Sequence, residues 1–152
     1  MKTTWFSKLF LASLISVVTL FGTMAAQSAE EEKAFADKKV VLQISDPNPF
    51  KQTLVLNVAN NLIKYYGPDK VDVEIVAFGP GLRLLFDGNA NSDRIQGLSA
   101  NGVRFAACKN TLTNFTKQLG REPKLNSHAK VVDAGVVRIV ELTSEGYTLV
   151  KP

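Results

Sequence analysis

The chain holds one cysteine, Cys108, and one histidine, His128, among 152 residues. A lone cysteine excludes an internal disulfide, and one Cys with one His cannot supply the four ligands of a closed structural zinc site. There is no Cys-x-x-Cys-His haem attachment motif. No Lys/Arg run interleaved with aromatics is present, so a nucleic-acid surface is not expected. The single Gly-Pro-Gly, residues 79–81, lacks the spacing of a dinucleotide fingerprint and has no Lys-Ser/Thr partner, so it reads as a turn. Serine and threonine show no nucleophile-elbow context. Internal repeats and low-complexity segments are also missing. These absences predict neither cofactor nor metal, and leave the thiol as the main candidate for chemistry.

What is present begins with an export pattern. Residues 1–8 carry Lys2 and Lys8 and no acid, residues 9–26 are uncharged and largely apolar, and Ala25, Ala26, Ser28 and Ala29 precede the acidic run Glu30–Glu32. Basic, apolar and small-residue segments in that order predict a cleaved secretory signal peptide over 1–29. The expected location is periplasmic or secreted, with no membrane attachment after cleavage. The formal charge of +4 then falls to about +2, because Lys2 and Lys8 are lost and no acid is. About 123 residues remain, enough for one domain with its own core. Residues 30–37 read as a polar, frayed arm and 38–152 as the folded domain.

Within that domain, apolar strands alternate with helices. Val40–Ile44 reads as a buried strand and Val71–Phe78 as a second strand, alternating at first and fully apolar at its end. Between them Asn48-Pro49 caps a helix to Tyr66, with Phe50, Leu54, Val58, Leu62 and Tyr65 as its apolar stripe, widened by Val55, Ala59, Ile63 and Tyr66. Leu82–Phe86 is expected as a helical turn, and Ser92 or Asp93 as the cap of a helix through Leu98. Val103–Ala107 is a third buried strand, followed by a helix over Thr111–Leu119 with Asn110 or Thr111 at its cap. Lys130–Val132 and Tyr147–Val150 flank a helix over Gly135–Ser144. This alternation predicts a single three-layer α/β sandwich, its sheet mainly parallel, about five-stranded and covered by helices.

In such sheets ligands collect beyond the carboxyl ends of the strands. Three loops arrive there: Ser45–Asn48, Gly79–Gly81 and Cys108–Asn110. Cys108 falls just before a helix N-terminus, whose partial positive charge favours thiolate, with Lys109 and Arg104 as further positive charge. The candidate site is therefore the Cys108 thiol with Lys109 as thiolate stabiliser. Asp46, Asn48, Gly79, Gly81, Asn110 and Thr111 are its candidate ligand-binding surroundings. The alternative reading packs Cys108 as a small core hydrophobe. His128 reads as a surface histidine within reach of Cys108 only if the fold brings them together; Asp46 is either a loop-fixing residue or an acid/base, and Asp87 reads as solvated.

The segments KVVLQIS, NVANNLIKYYG, VDVEIVAFGPG, GVRFAACKNTL and GYTLVKP, in that order over residues 38–152, resemble the DsrE/DsrF-like family, in its stand-alone, exported branch. The resemblance implies a five-stranded α/β sandwich that assembles as homo- or hetero-oligomers, here a homo-oligomer such as a trimer. It also implies that a cysteine at the strand-to-helix turn, Cys108 by motif, carries sulfane sulfur as a persulfide. The sequence departs from the family pattern at the end of the following helix, where Lys117 and Gly120 stand for the usual Arg-Gly. Three readings follow: sulfur transfer through Cys108 with a small sulfur species or partner protein; a non-catalytic ligand-binding or assembly module with Cys108 structural; and redox coupling through an intermolecular disulfide. Whether the protein is an enzyme stays open at this level.

Overall fold

The computed structural model of the protein describes Lys33 and residues 35–152. The expected signal segment, 1–29, lies outside the described residues. In chain order the elements are β1 (Lys38–Ile44), α1 (Pro49–Tyr66), β2 (Val71–Ala77), a 3-10 turn (Gly79–Leu85), α2 (Ser92–Ala100), β3 (Arg104–Cys108), α3 (Lys109–Leu119), β4 (Ala129–Val132), α4 (Gly135–Ser144) and β5 (Thr148–Val150). The five strands form one sheet in the order β4-β3-β2-β1-β5, and every pairing is parallel. The three-layer α/β sandwich expected from the alternation is the observed architecture.

The strand order fixes which face each helix covers. From β1 to β4 the chain steps across the sheet in one direction, so right-handed crossovers place α1, the 3-10 turn, α2 and α3 on one face. From β4 it returns past all three inner strands to lay β5 beside β1, which puts α4 on the opposite face. Two cores result. The larger joins Val40, Leu42, Val73, Ile75 and Phe105 to Val55 and Leu56 of α1, Leu84 of the 3-10 turn, Ile95 of α2 and Phe115 of α3. The smaller joins Val41, Val76 and Ala106 to Ile139 and Leu142 of α4 and to Tyr147. Each fully buried aliphatic side chain contributes about 1.5–3 kcal/mol. No helix among the described residues is long and apolar enough to cross a membrane.

Several local expectations are corrected. The stripe of α1 is rotated: Gln52, Val55, Leu56, Ala59 and Ile63 are buried, whereas Phe50, Leu54 and Tyr65 are exposed. The apolar residues of α1 are numerous enough to draw two stripes, and docking chose the one whose small Ala59 permits close approach to the sheet. Gly79–Gly81 is the first turn of the 3-10 helix and not a bare break. Asn91, not Ser92 or Asp93, occupies the cap position of α2. Lys33, within the arm expected to fray, is anchored: its ammonium donates to the carbonyls of Pro68, Val71 and Asn101.

Gly81 sits where the 3-10 turn crosses the end of β1. A Cβ there would lie 2.6 Å from the carbonyl oxygen of Ile44, and backbone cannot step aside. Gly97, inside α2, faces open space. Gly81→Ala is therefore expected to destabilise by about 2 kcal/mol or more, while Gly97→Ala stabilises by about 0.5–1 kcal/mol, both read from denaturant midpoints at unchanged slope.

Candidate functional site

Cys108 is the last residue of β3 and the N-cap of α3, in extended backbone. The cap is the cysteine itself, so Asn110 and Thr111, expected as caps, lie inside the first helical turn. Successive side chains of β3 alternate faces: Phe105 and Ala107 enter the larger core, while Arg104, Ala106 and Cys108 face α4. The N-terminus of α4 closes over the thiol. A Cβ on Gly135 would stand 3.3 Å from Cβ of Cys108 and 3.0 Å from Cβ of Phe78, so any side chain there would press on both, and glycine eases the close approach of α4. Cys108 is consequently 5% exposed.

Two helix N-termini thus converge on one sulfur. Burial works against the thiolate. It is outweighed by the hydroxyl of Thr111 and by the backbone N–H groups of Gly135, Thr111 and Asn110, which together hold the thiol below its ordinary range. The Thr111 hydroxyl is oriented for this. Its oxygen accepts the N–H of Gly79 at 2.9 Å, which leaves its own proton free to donate toward sulfur.

The other residues named from sequence fall as follows. Gly79 and Thr111 join each other beside the thiol, and Asn110 contributes its N–H. Lys109 is exposed and lies 3.8 Å from Asp133; the groups that bias the thiol are the hydroxyl and amides named above. Asp46 and Asn48 build a local turn: Asp46 accepts the N–H of Asn48 at 2.8 Å, and Asn48 caps α1 through Phe50 N–H at 2.8 Å. They stand two strands away from Cys108, about 10 Å across the sheet. Gly81 is packed on the backbone of Ile44 and Ser45. His128 precedes β4, whereas Cys108 pairs with Val132 at the far end of that strand, about 13 Å along; a Cys–His pair is not formed. Asp87 makes an exposed ion pair with Lys124 at 2.7 Å. Among the described residues no group of three His, Cys, Asp or Glu could hold a metal.

Arg104, expected to add charge near the thiol, is directed elsewhere. Beneath α4 it donates to Asp72 at 2.9 Å, to Glu74 at 3.1 Å and to the Tyr147 hydroxyl at 2.9 Å. Tyr147 donates to Asp72 at 2.6 Å, and Arg138 of α4 forks onto Glu74 with two bonds of 2.8 Å. Burial alone would lower the Arg104 guanidinium, but Tyr147, Asp72 and Glu74 raise it above its ordinary value; burial and Asp72 raise the Tyr147 phenol. Asp72 and Glu74 alternate with apolar residues in VDVEIVA, a pattern that reads as a solvent face, yet both are buried. The signal that could have found the network is Arg104 inside a strand otherwise apolar: a buried cation requires buried acids on the neighbouring strand. Gly135 carried no such signal.

Thr111→Val removes the hydroxyl proton at nearly constant volume. Iodoacetamide alkylation at pH 7 is expected to slow on the order of threefold, with its pH profile displaced upward and Thr111→Ser restoring most of the rate. The depressed thiol also couples to stability with a definite sign. Its contribution is present above the unfolded thiol value of about 8.5 and lost as pH falls through the folded value. Wild type should therefore gain stability relative to Cys108→Ala as pH rises toward about 8.5.

Comparison with family models finds no match, and comparison with curated proteins finds none. Solved structures do match. The ychN protein from E. coli is 14% identical, covers 76% of this chain and 99% of its own, and superposes with a TM-score of 0.60, which shows a shared fold. MTH1491 from Methanobacterium thermoautotrophicum, a protein of unknown function, is 30% identical with a TM-score of 0.68; the match covers 76% of this chain and 100% of that one. At that identity, over the whole of the second protein, this chain belongs to the same family as MTH1491.

Proposed function

We propose that this protein is an exported, DsrE/DsrF-like sulfur carrier, in which the Cys108 thiolate accepts sulfane sulfur and holds it as a persulfide. The observation that carries this reading is the convergence of the α3 and α4 N-termini and the Thr111 hydroxyl on a single thiol. Attack on sulfane sulfur requires thiolate, and these donors favour it over the neutral thiol. In the loading step Cys108 thiolate attacks the outer sulfur of a persulfide, R–S–SH. The donor S–S bond breaks, R–S⁻ leaves, and Cys108–S–SH forms with no net oxidation. In unloading, an acceptor thiolate attacks that outer sulfur and Cys108 thiolate leaves. A thiol held at a lowered pKa leaves faster, so the same donors serve both directions. With the thiol almost fully covered, the donor it suits is slender: a hydropolysulfide or a small alkyl persulfide.

The test is intact mass after exposure to inorganic polysulfide. Wild type is expected to gain one sulfur per chain, removable by dithiothreitol, and Cys108→Ser none. A wild-type protein that stays unmodified at saturating polysulfide, with an unchanged circular dichroism spectrum, rejects the carrier reading.

A second reading, assembly, is favoured by α4. Val136, Val137 and Val140 form a ridge of 50–60% exposed side chains on the only helix among the described residues that covers this face. A cavity of about 470 Å³ runs beside it, lined by Val137, Arg104, Arg138, Glu74 and Glu141. Burying such a ridge against a second copy is the expected use of exposed apolar surface. Sedimentation velocity should show an oligomer for wild type and a shift toward monomer for Val137→Asp with Val140→Asp. A wild-type monomer at high micromolar concentration removes this reading.

A further inference from the structure

A second cavity lies on the other side of Thr111. It has a volume of about 280 Å³ and is lined by Gly79, Pro80, Arg83, Thr111, Asn114, Phe115 and Gln118. It opens where β2 and β3 end, at the edge where parallel sheets gather their ligands. Thr111, Asn114, Phe115 and Gln118 recur at helical spacing, so one stripe of α3 forms its wall. The 3-10 turn forms the opposite wall.

The chemistry of that lining is one-sided. It contains a guanidinium, two carboxamides and a hydroxyl, and no carboxylate. The larger cavity beside α4, by contrast, balances Arg104, Lys130 and Arg138 against Glu74, Asp133 and Glu141. Arg83 lies with its guanidinium carbon 5.0 Å from the centre of the Phe115 ring. This contact holds the guanidinium over the ring beside the cavity and engages none of its N–H groups in a hydrogen bond. Arg83 makes no ion pair and no side-chain hydrogen bond among the described residues. A positively charged fork with amide donors around it, in a cavity free of acid, fits a small oxyanion.

We propose that this cavity binds a small oxyanion through Arg83, and that its occupancy restrains the Cys108 thiol through Thr111. The mechanism rests on proton counting. Thr111 borders both the cavity and the thiol, and with its oxygen already accepting the Gly79 N–H its single hydroxyl proton can serve only one acceptor at a time. With no competing acceptor it favours the thiolate. An oxyanion beside it is a stronger acceptor than a thiol and competes for that proton, while its charge opposes a second anion nearby. An occupied cavity therefore holds a less reactive thiol. The proposal rests on the reading of Cys108 as a reactive thiol, but not on persulfide formation.

The experiment measures the rate of iodoacetamide alkylation at pH 7 while sodium sulfate, phosphate or acetate is titrated in, with chloride keeping ionic strength constant. Wild type is expected to slow saturably, on the order of threefold, with at least one of these anions. Arg83→Gln should abolish the effect and Arg83→Lys should retain part of it. Slowing by sulfate and phosphate alone assigns the site to tetrahedral oxyanions; slowing by acetate as well assigns it to oxyanions in general. No saturable slowing with any of the three, or equal slowing in Arg83→Gln, overturns the proposal. A protein that forms no persulfide yet shows the Arg83-dependent effect loses the carrier reading and keeps this site; the reverse pair of results loses only the site.

Discussion

The buried network of Asp72, Glu74, Arg104, Tyr147 and Arg138 holds the smaller half of the molecule in place. Charges at this depth are costly to desolvate, and the cost is offset only by good mutual geometry. That geometry is available because the register of β2 and β3 sets Glu74 directly beside Arg104. Arg138 then ties α4 to the same carboxylate, and Tyr147 ties in the approach to β5. One oxygen of Asp72 accepts from Arg104, Tyr147 and the Lys33 backbone, while its other oxygen finds no partner among the described residues. A slip of β2 against β3 by one residue would turn the acids to the opposite face and strand Arg104. The network thus specifies register more than it adds stability.

The position of the thiol depends on that specification. Cys108 is on the same strand and the same face as Arg104, and α4 is the element that covers both. With Arg138 anchored at Glu74, the first turn of α4 is carried over the end of β3, and Gly135 offers no side chain to hold it off. The thiol is therefore enclosed by backbone N–H groups from two helices, and burial is opposed by hydrogen bonds strong enough to reverse its effect. A cysteine packed as an ordinary core hydrophobe would have the burial without the donors. The ridge of valines on the outer side of α4 belongs to the same element, so any partner seated there would bear on the helix that lids the thiol.

How much was legible in the chain varies with the physical scale of the signal. Strands β1, β2 and β3 each carry a short apolar run (Val40–Leu42, Ile75–Ala77 and Phe105–Cys108), so their existence follows from composition. The helix ends marked by Asn48-Pro49, Gly67 and Gly120 are local events, decided within a few residues. The centre of the α1 stripe was not legible, because Leu54, Val58 and Leu62 compete with Val55, Ala59 and Ile63 and only the docked sheet shows the latter three buried, with Val58 and Leu62 at the margin. Nor were Asp72 and Glu74 readable as buried, since alternation within one strand looks the same whether the polar face meets water or Arg104. Lys33 likewise had no local reason to be ordered; its partners lie 35 and more residues away.

By itself the sequence determined the order of elements, the parallel sheet that order requires, and the place of Cys108 at the end of a central strand before a helix. These follow from periodicity, caps and breakers, which act over a few residues. The tertiary structure alone decided what surrounds the sulfur. The Gly135 N–H comes from an element 27 positions further on, and the Gly79 N–H that orients Thr111 is 32 positions back. Hydrogen bonds of this kind depend on sub-ångström placement of segments distant in the chain. That placement is set by packing and by the buried ionic network, and no pattern within a single segment encodes it.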